Sequence, residues 1–171
     1  MAGRTARTRA ASWAPFISGM FMSVRSRSIR LSASSTNRMA IVGRAAALVL
    51  TCGLSGSGKS SLARSIAAEL EALHIRSDVE RKRLFGVAPE QRSEPADEAR
   101  LYGSAMSRQT FARLEQLAET ALAAGFAVIV DATFLHRRSR DRFRLLARRL
   151  EQPFVIIDCK APPEQLRARL A

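Results

Sequence analysis

Apolar runs alternate with amphipathic stretches from residue 45 onward, and this alternation predicts strands separated by helices. Three runs are continuous and end at glycine, cysteine or aspartate, which is typical of strands buried in a parallel sheet. A shorter, more polar segment is a fourth candidate. We therefore predict strands at residues 46–52, 74–77, 126–131 and 154–158. This repetition predicts one α/β domain whose parallel sheet carries helices on both faces.

Helices are predicted where apolar residues recur every three or four positions, as Leu62, Ile66 and Leu70 do. The predicted helices are residues 59–73, 79–85, 104–124 and 138–150, with a last one that begins at Pro162 and Pro163. The segment 87–101 contains Pro89, Pro95 and several charges without periodicity, so we predict a mobile loop there.

The first 44 residues differ in composition from the rest of the chain. They contain eight arginines and no acidic residue, and their apolar patch is interrupted by Pro15 and Gly19. This composition predicts a disordered basic extension, residues 1–44, ahead of a single domain, residues 45–171. A transit-like segment, or a true start at Met20, Met22 or Met39, stays open as an alternative.

The chain has 28 basic and 15 acidic residues, a formal net charge of +13. The extension supplies eight of these positive charges, so the domain itself has only the modest surplus expected of a protein that binds anions. Seven arginines between Arg137 and Arg149 could form a nucleic-acid surface, but the solvated face of an amphipathic helix is the simpler interpretation. Nucleic-acid binding, including binding through the basic extension, is therefore a weakly supported alternative function.

Two cysteines, Cys52 and Cys159, end apolar runs and are interpreted as reduced core thiols of a cytoplasmic protein. No segment approaches the ~20 consecutive apolar residues of a membrane helix. His74 and His136 have no acid or thiol at metal-ligand spacing, so the sequence gives them no catalytic role.

The strongest motif is a phosphate-binding loop (P-loop) between the first predicted strand and the first predicted helix. Its glycines let backbone N–H groups surround phosphate oxygens, its lysine reaches the β- and γ-phosphates, and its last serine binds Mg²⁺. The pattern therefore predicts binding of a nucleoside triphosphate, ATP, with Mg²⁺. The residues expected to bind the nucleotide are Gly53, Leu54, Ser55, Gly56, Ser57, Gly58, Lys59, Ser60 and Ser61.

Carboxylates follow two other predicted strands, at the sheet edge where ligands of parallel sheets bind. Asp131 is expected to hold the metal together with Ser60, with Thr133 close behind; a strand-end turn is the alternative. Asp78 could accept the proton of an attacking hydroxyl while Arg81 grips an anionic acceptor, although an N-cap explains Asp78 equally well.

Three runs in order resemble the small P-loop kinases of the polynucleotide-kinase-like type, which are often called AAA-like ATPase domains. The chain is most similar to the bacterial kinase-like domain that is often joined to an aminoglycoside-phosphotransferase-like domain. These runs are residues 53–60, residues 76–84 and residues 128–135, and the resemblance covers residues 48–171.

The resemblance implies a three-layer P-loop NTPase fold of the nucleotide-kinase type, with strand order 2-3-1-4. It also implies transfer of the ATP γ-phosphate to a hydroxyl of a small molecule or polynucleotide, with Lys59, Asp78 and Arg81 catalytic. Arg167 or Arg169 is expected to serve as a lid arginine, and we choose Arg167. Family members continue through a lid and a fifth strand, so we expect that strand to be missing and the short chain to be either a kinase or a non-catalytic nucleotide-binding module.

Overall fold

The computed structural model describes residues 21–25, 46–91 and 95–170. The strands are β1 Phe21–Arg25, β2 Leu48–Cys52, β3 Leu73–Arg76, β4 Val128–Asp131 and β5 Phe154–Lys160. The helices are α1 Lys59–Leu70, α2 Ser77–Phe85, α3 Pro95–Leu101, α4 Ser104–Ala123, α5 Arg137–Arg149 and α6 Pro163–Leu170. Among these helices, none combines the length and apolar character needed to cross a membrane.

All five strands lie in one sheet, in the order β1-β5-β2-β4-β3. The four strands from β2 to β5 are parallel to their neighbours within that group, and they correspond to the four predicted from the sequence. In that numbering their order is 2-3-1-4, so the predicted fold class is confirmed. The order brings the carboxyl ends of β2, β3 and β4 side by side at one edge of the sheet.

Two apolar cores, one on each face of the sheet, make the domain three-layered. One face packs Val49, Ile129 and their neighbours against α1. The opposite face packs Leu50, Val130 and their neighbours against α4 and α5. Because successive strand residues point to opposite faces, each central strand must be apolar on both sides, as its sequence is.

The fifth strand, β1, was not predicted. Residues 21–25 pair with β5 in antiparallel register, from Phe21 opposite Lys160 to Arg25 opposite Ile156. Sequence reasoning placed these residues in an extension outside the domain, and most of that extension lies outside the described residues. The sequence did not reveal β1, because a single edge strand is stabilised by hydrogen bonds to a distant partner strand and needs no recognisable local sequence pattern. Among the described residues, the edge of the sheet beside β5 is covered by this antiparallel strand.

Several predicted boundaries are corrected by the structure. The segment 87–101 is not a loop throughout, because residues 95–101 form α3, and Leu101 is buried. Pro95 stands at the first position of this helix, where its missing N–H costs nothing. Helix α2 begins at Ser77, two residues earlier than predicted, so Asp78 lies in its first turn and Arg76 is the N-cap. The alternative role of Asp78 as an N-cap is therefore wrong.

Candidate functional site

The P-loop connects β2 to α1 and depends on glycine for its shape. Gly56 and Gly58 have φ angles of +78° and +86°, in the left-handed region that other residues rarely adopt. Gly53 has φ +133°, and a Cβ atom there would lie 2.2 Å from the carbonyl oxygen of Cys159. Its N–H donates a hydrogen bond to the Thr133 carbonyl at 3.0 Å, which ties the loop to the chain that follows β4.

Lys59 begins α1, and its side chain folds back over the loop. It is only 8% exposed, and its Nζ donates a hydrogen bond to the Leu54 carbonyl at 2.6 Å. Burial lowers the pKa of Lys59, while the negative charge of Asp131 acts in the opposite direction. The ammonium group is therefore held inside the loop with little water around it, where an anion would stabilise its charge.

Asp131 ends β4 beside the loop and is 4% exposed. Thr51 Oγ1 donates a hydrogen bond to its Oδ1 at 2.9 Å, and Nε2 of His74 lies 3.5 Å from its Oδ2. Burial alone would raise the pKa of Asp131, but the contacts with His74, Ser60 and Thr51 outweigh it, so this pKa lies below its usual range. The carboxylate is thus ionised and shares contacts with the serine that ends the P-loop.

Asp78 and Arg81 lie at the same edge of the sheet, but their side chains point to different partners. Asp78 follows β3, and its side chain is 47% exposed, with Lys82 Nζ 3.9 Å from its Oδ2. The Arg81 guanidinium stacks on the ring of Tyr102 at 4.8 Å, and its Nη1 lies 3.4 Å from the Leu101 carbonyl. Sequence reasoning missed Lys82, although the i,i+4 spacing from Asp78 could have revealed it.

The last described helix supplies an arginine to the loop. Arg169 of α6 donates a hydrogen bond from Nη1 to the Gly56 carbonyl at 2.9 Å. Arg167, which was the predicted residue, is exposed on the same helix. The structure therefore brings Arg169 to the P-loop. The sequence placed both arginines in the same region but could not predict which of them contacts the loop.

Most of the seven arginines of α5 pair with acidic side chains. Arg142 contacts Glu115 and Arg149 contacts Glu119, both on α4, while Asp141 pairs with Arg137 and Arg144 along α5 itself. Such exposed pairs neutralise charge without adding much stability. This arrangement favours the solvated helix face over a nucleic-acid surface.

A groove of about 520 Å³ runs along the outer edge of β3, between α2 and α4. Its walls are mainly apolar, with Val79, Leu117 and Phe126 among them, and His74 and Arg76 also line it. Asp78 and Arg81 are not among its lining residues. The groove therefore lies behind the helix that carries these two residues rather than at the P-loop.

Comparisons with known proteins agree with this geometry. A family model described as an AAA domain matches residues 48–171. No match was found among curated proteins.

Several solved structures share the fold. APS kinase CysC from Mycobacterium tuberculosis, in complex with AMPPNP and APS, is 25% identical, with a TM-score of 0.58 over 73% of this chain and 68% of that one. A candidate kinase from Chloroflexus aurantiacus is 21% identical, with a TM-score of 0.57 over 73% of this chain. The Pnkp1/Rnl/Hen1 complex is 24% identical, with a TM-score of 0.51 over 74% of this chain and 39% of that one. This chain spans 65% of the length of the Chloroflexus protein.

Proposed function

We propose that this chain, which belongs to the AAA domain family, binds ATP with Mg²⁺ and transfers the γ-phosphate to a hydroxyl group of an acceptor. The observation that supports this most directly is the meeting of three groups at one edge of the sheet. These are a loop shaped by left-handed glycines, the buried ammonium of Lys59, and the ionised Asp131 in contact with Ser60.

The loop has the properties of a triphosphate cradle. Its following helix α1 presents N–H groups at its positive end, and Lys59 adds a buried charge. The Ser57 hydroxyl is 1% exposed and has no hydrogen-bond partner among the described residues, which is unusual for a buried polar atom. A phosphate oxygen would supply the acceptor that the Ser57 hydroxyl lacks and would place a negative charge beside the Lys59 ammonium.

The donor set beside the loop fits magnesium. The Ser60 hydroxyl and the Asp131 carboxylate are hard oxygen ligands, which Mg²⁺ prefers, and it is usually held by one or two such groups plus phosphates. Among the described residues there is no cluster of three or more histidine, cysteine or acidic side chains that would form a metal site without a nucleotide. When bound, the metal would neutralise charge on the β- and γ-phosphates.

The acceptor would be bound on the side of α2 that carries Asp78 and Arg81. In this proposal Asp78 accepts the proton of the attacking hydroxyl, and Arg81 binds an anionic group of the acceptor with its guanidinium oriented by Tyr102. Lys82 Nζ lies 3.9 Å from Asp78 Oδ2 and places a positive charge beside the proposed base. Small molecules and polynucleotides both stay open as acceptors.

The same proposal includes the lid arginine and the nearest family resemblance. Arg169, through its contact with Gly56, is better placed than Arg167 to reach a bound triphosphate. The closer relation to kinase-like domains that are joined to an aminoglycoside-phosphotransferase-like domain rests on the three sequence motifs alone.

Nucleotide binding is tested by isothermal titration calorimetry of ATP with Mg²⁺. We expect Lys59→Met to abolish measurable binding, because the methionine fills the same space without the charge. The matched control is Lys160→Met, since Lys160 is 58% exposed and pairs only with Asp158 among the described residues. Equal ATP affinity in the parent protein and Lys59→Met would overturn the proposed nucleotide site.

Phosphoryl transfer is tested by following γ-³²P transfer from ATP to mixtures of hydroxyl-bearing metabolites and oligonucleotides. We expect Asp78→Asn to lower turnover by about 10²- to 10⁴-fold, the usual contribution of a general base, while ATP affinity is retained. Asp141→Asn, at a half-buried aspartate on α5, is the control. ATP binding without transfer to any acceptor class would contradict the kinase proposal and favour a non-catalytic module.

A further inference from the structure

His74 lies beside Asp131, although the sequence gives it no role. It lies in β3, opposite Ile129 of β4, while Asp131 lies opposite Arg76. Residues two apart on a strand point to the same face, so His74 and Asp131 are diagonal neighbours on the face that packs against α1. The histidine thereby reaches the carboxylate from the neighbouring strand.

The two oxygens of Asp131 face different partners. Thr51 donates to Oδ1 at 2.9 Å, and His74 Nε2 stands 3.5 Å from Oδ2. The His74 side chain is 15% exposed and that of Asp131 is 4% exposed, so water has little access to either group. The carboxylate is thus held from two sides by groups on the strands that flank β4.

Burial of the His74 imidazole costs free energy unless the ring interacts favourably with the Asp131 carboxylate. Its Nε2 atom is buried and makes no hydrogen bond of good geometry within the described residues. A buried polar atom without such a bond costs about 1–3 kcal/mol, and an apolar side chain would fill the same space without that cost. Asp131 is the charged group that this nitrogen faces, so the benefit must come from that contact.

We propose that His74 is a positioning residue for the magnesium site, which orients the Asp131 carboxylate from the Oδ2 side while Thr51 holds Oδ1. This inference rests on the proposed function, because it assumes that Asp131 helps to bind Mg²⁺. Side chains that orient a metal ligand typically change metal affinity 10- to 100-fold when they are removed. The 3.5 Å separation is long, so we expect an effect near the lower end of that range.

The test measures the Mg²⁺ concentration that half-saturates ATP binding, by calorimetry of the full chain. His74→Leu removes the polar atom and is expected to raise this concentration about tenfold. His74→Gln keeps an N–H near the position of Nε2 and is expected to restore most of the affinity. ATP binding in the presence of EDTA is expected to be unchanged in both variants, because His74 acts only through Asp131.

Two controls keep the outcomes distinct. His136→Leu makes the same substitution at an exposed histidine and is expected to match the parent protein. His74→Asn, whose amide is too short to reach Oδ2, replaces His74→Leu if the latter unfolds, as judged by thermal melting. An unchanged Mg²⁺ requirement in the variant that removes the contact, or an equal loss in His74→Gln, overturns the proposal.

Failure of the underlying function is separable from failure of this inference. If the parent protein binds no ATP, and Lys59→Met does not differ from it, the proposed function itself is wrong. If the parent binds ATP with Mg²⁺ and His74 substitutions leave the Mg²⁺ requirement unchanged, only the role of His74 is wrong.

Discussion

Thr51→Val isolates the hydrogen bond between two buried neighbours, Thr51 and Asp131. Valine has nearly the same shape as threonine and favours strands equally, so β2 keeps its packing. The substitution removes the hydroxyl that donates to Asp131 Oδ1 at 2.9 Å. Since Thr51 is fully buried, water cannot replace this donor.

The expected loss of stability follows from the charge of the acceptor. A hydrogen bond to an ionised group contributes about 1.5–3 kcal/mol, so we expect Thr51→Val to lower the free energy of unfolding by about 2 kcal/mol. Thr110→Val is the matched control, because Thr110 is equally buried but donates to a neutral carbonyl, that of Met106, at 2.8 Å. That carbonyl belongs to the same helix, and we expect a cost of about 0.5–1 kcal/mol there.

The cost of Thr51→Val should also depend on pH, in a direction set by the pKa of Asp131. The pKa of Asp131 lies below its ordinary value of 3.8 in the folded protein, so its ionised form stabilises the fold above that value. This contribution is lost as the pH falls through the lowered pKa. The cost of Thr51→Val should therefore be constant from about pH 7 to pH 5 and shrink below about pH 3.8, whereas that of Thr110→Val should not change.

Urea unfolding, monitored by circular dichroism in EDTA at several pH values, measures both costs. The proposed role of the charged hydrogen bond is refuted if Thr51→Val costs no more than Thr110→Val at pH 7. It is also refuted if the two costs depend on pH in the same way, because the charge of Asp131 would then have no part in the effect.

Three further predictions follow from the loop and its surroundings. Gly53→Ala should lower the free energy of unfolding by about 3 kcal/mol or more and prevent ATP binding, because the new Cβ atom would meet the Cys159 carbonyl. The control is Gly86→Ala, at φ +82° with nothing within 4 Å of the new Cβ atom. It should cost about 1 kcal/mol in urea unfolding and leave ATP binding intact. The thiols of Cys52 and Cys159, each with its pKa raised to about 11, should react with iodoacetamide at pH 7.5 about 100-fold more slowly than in the unfolded chain; equal rates would contradict their burial. Glu80→Gln should lower the free energy of unfolding by about 1–3 kcal/mol, because the buried carboxylate pairs with one arginine on α2 and one on α4. An unchanged melting temperature would show that these ion pairs contribute nothing to stability.

The P-loop could be predicted in full because its signal is local. Eight consecutive residues specify the turn, and the glycines at positions 53, 56 and 58 have the backbone angles that the motif requires. The apolar runs that alternate with helices predicted a parallel sheet, whereas the strand order was implied by the resemblance to P-loop kinases, and both are confirmed. Asp131 was predicted at the end of a strand beside the first one, and it ends β4 next to β2, while its metal-binding role stays a prediction.

The contacts across strands could not be predicted. His74 was given no catalytic role because it was interpreted as lacking an acid or thiol at metal-ligand spacing, yet the register between β3 and β4 brings it to Asp131. A shift of one residue in that register would turn His74 to the opposite face, and the sequence does not fix the register of a short edge strand. Helix α3 was also missed, since Pro95 was counted as a helix breaker although it stands at the helix start.

The pairing of β1 with β5 has a consequence for the order in which the sheet forms. Residues 21–25 are synthesised before the other described strands, but their partners at residues 156–160 belong to the last of those strands in chain order. This pairing closes a loop that contains most of the chain, and we expect its entropic cost to be offset only after β2, β4 and β5 have assembled. The edge beside β5 is therefore the last part of the sheet to close, and a nascent domain that has made the P-loop still carries one open strand.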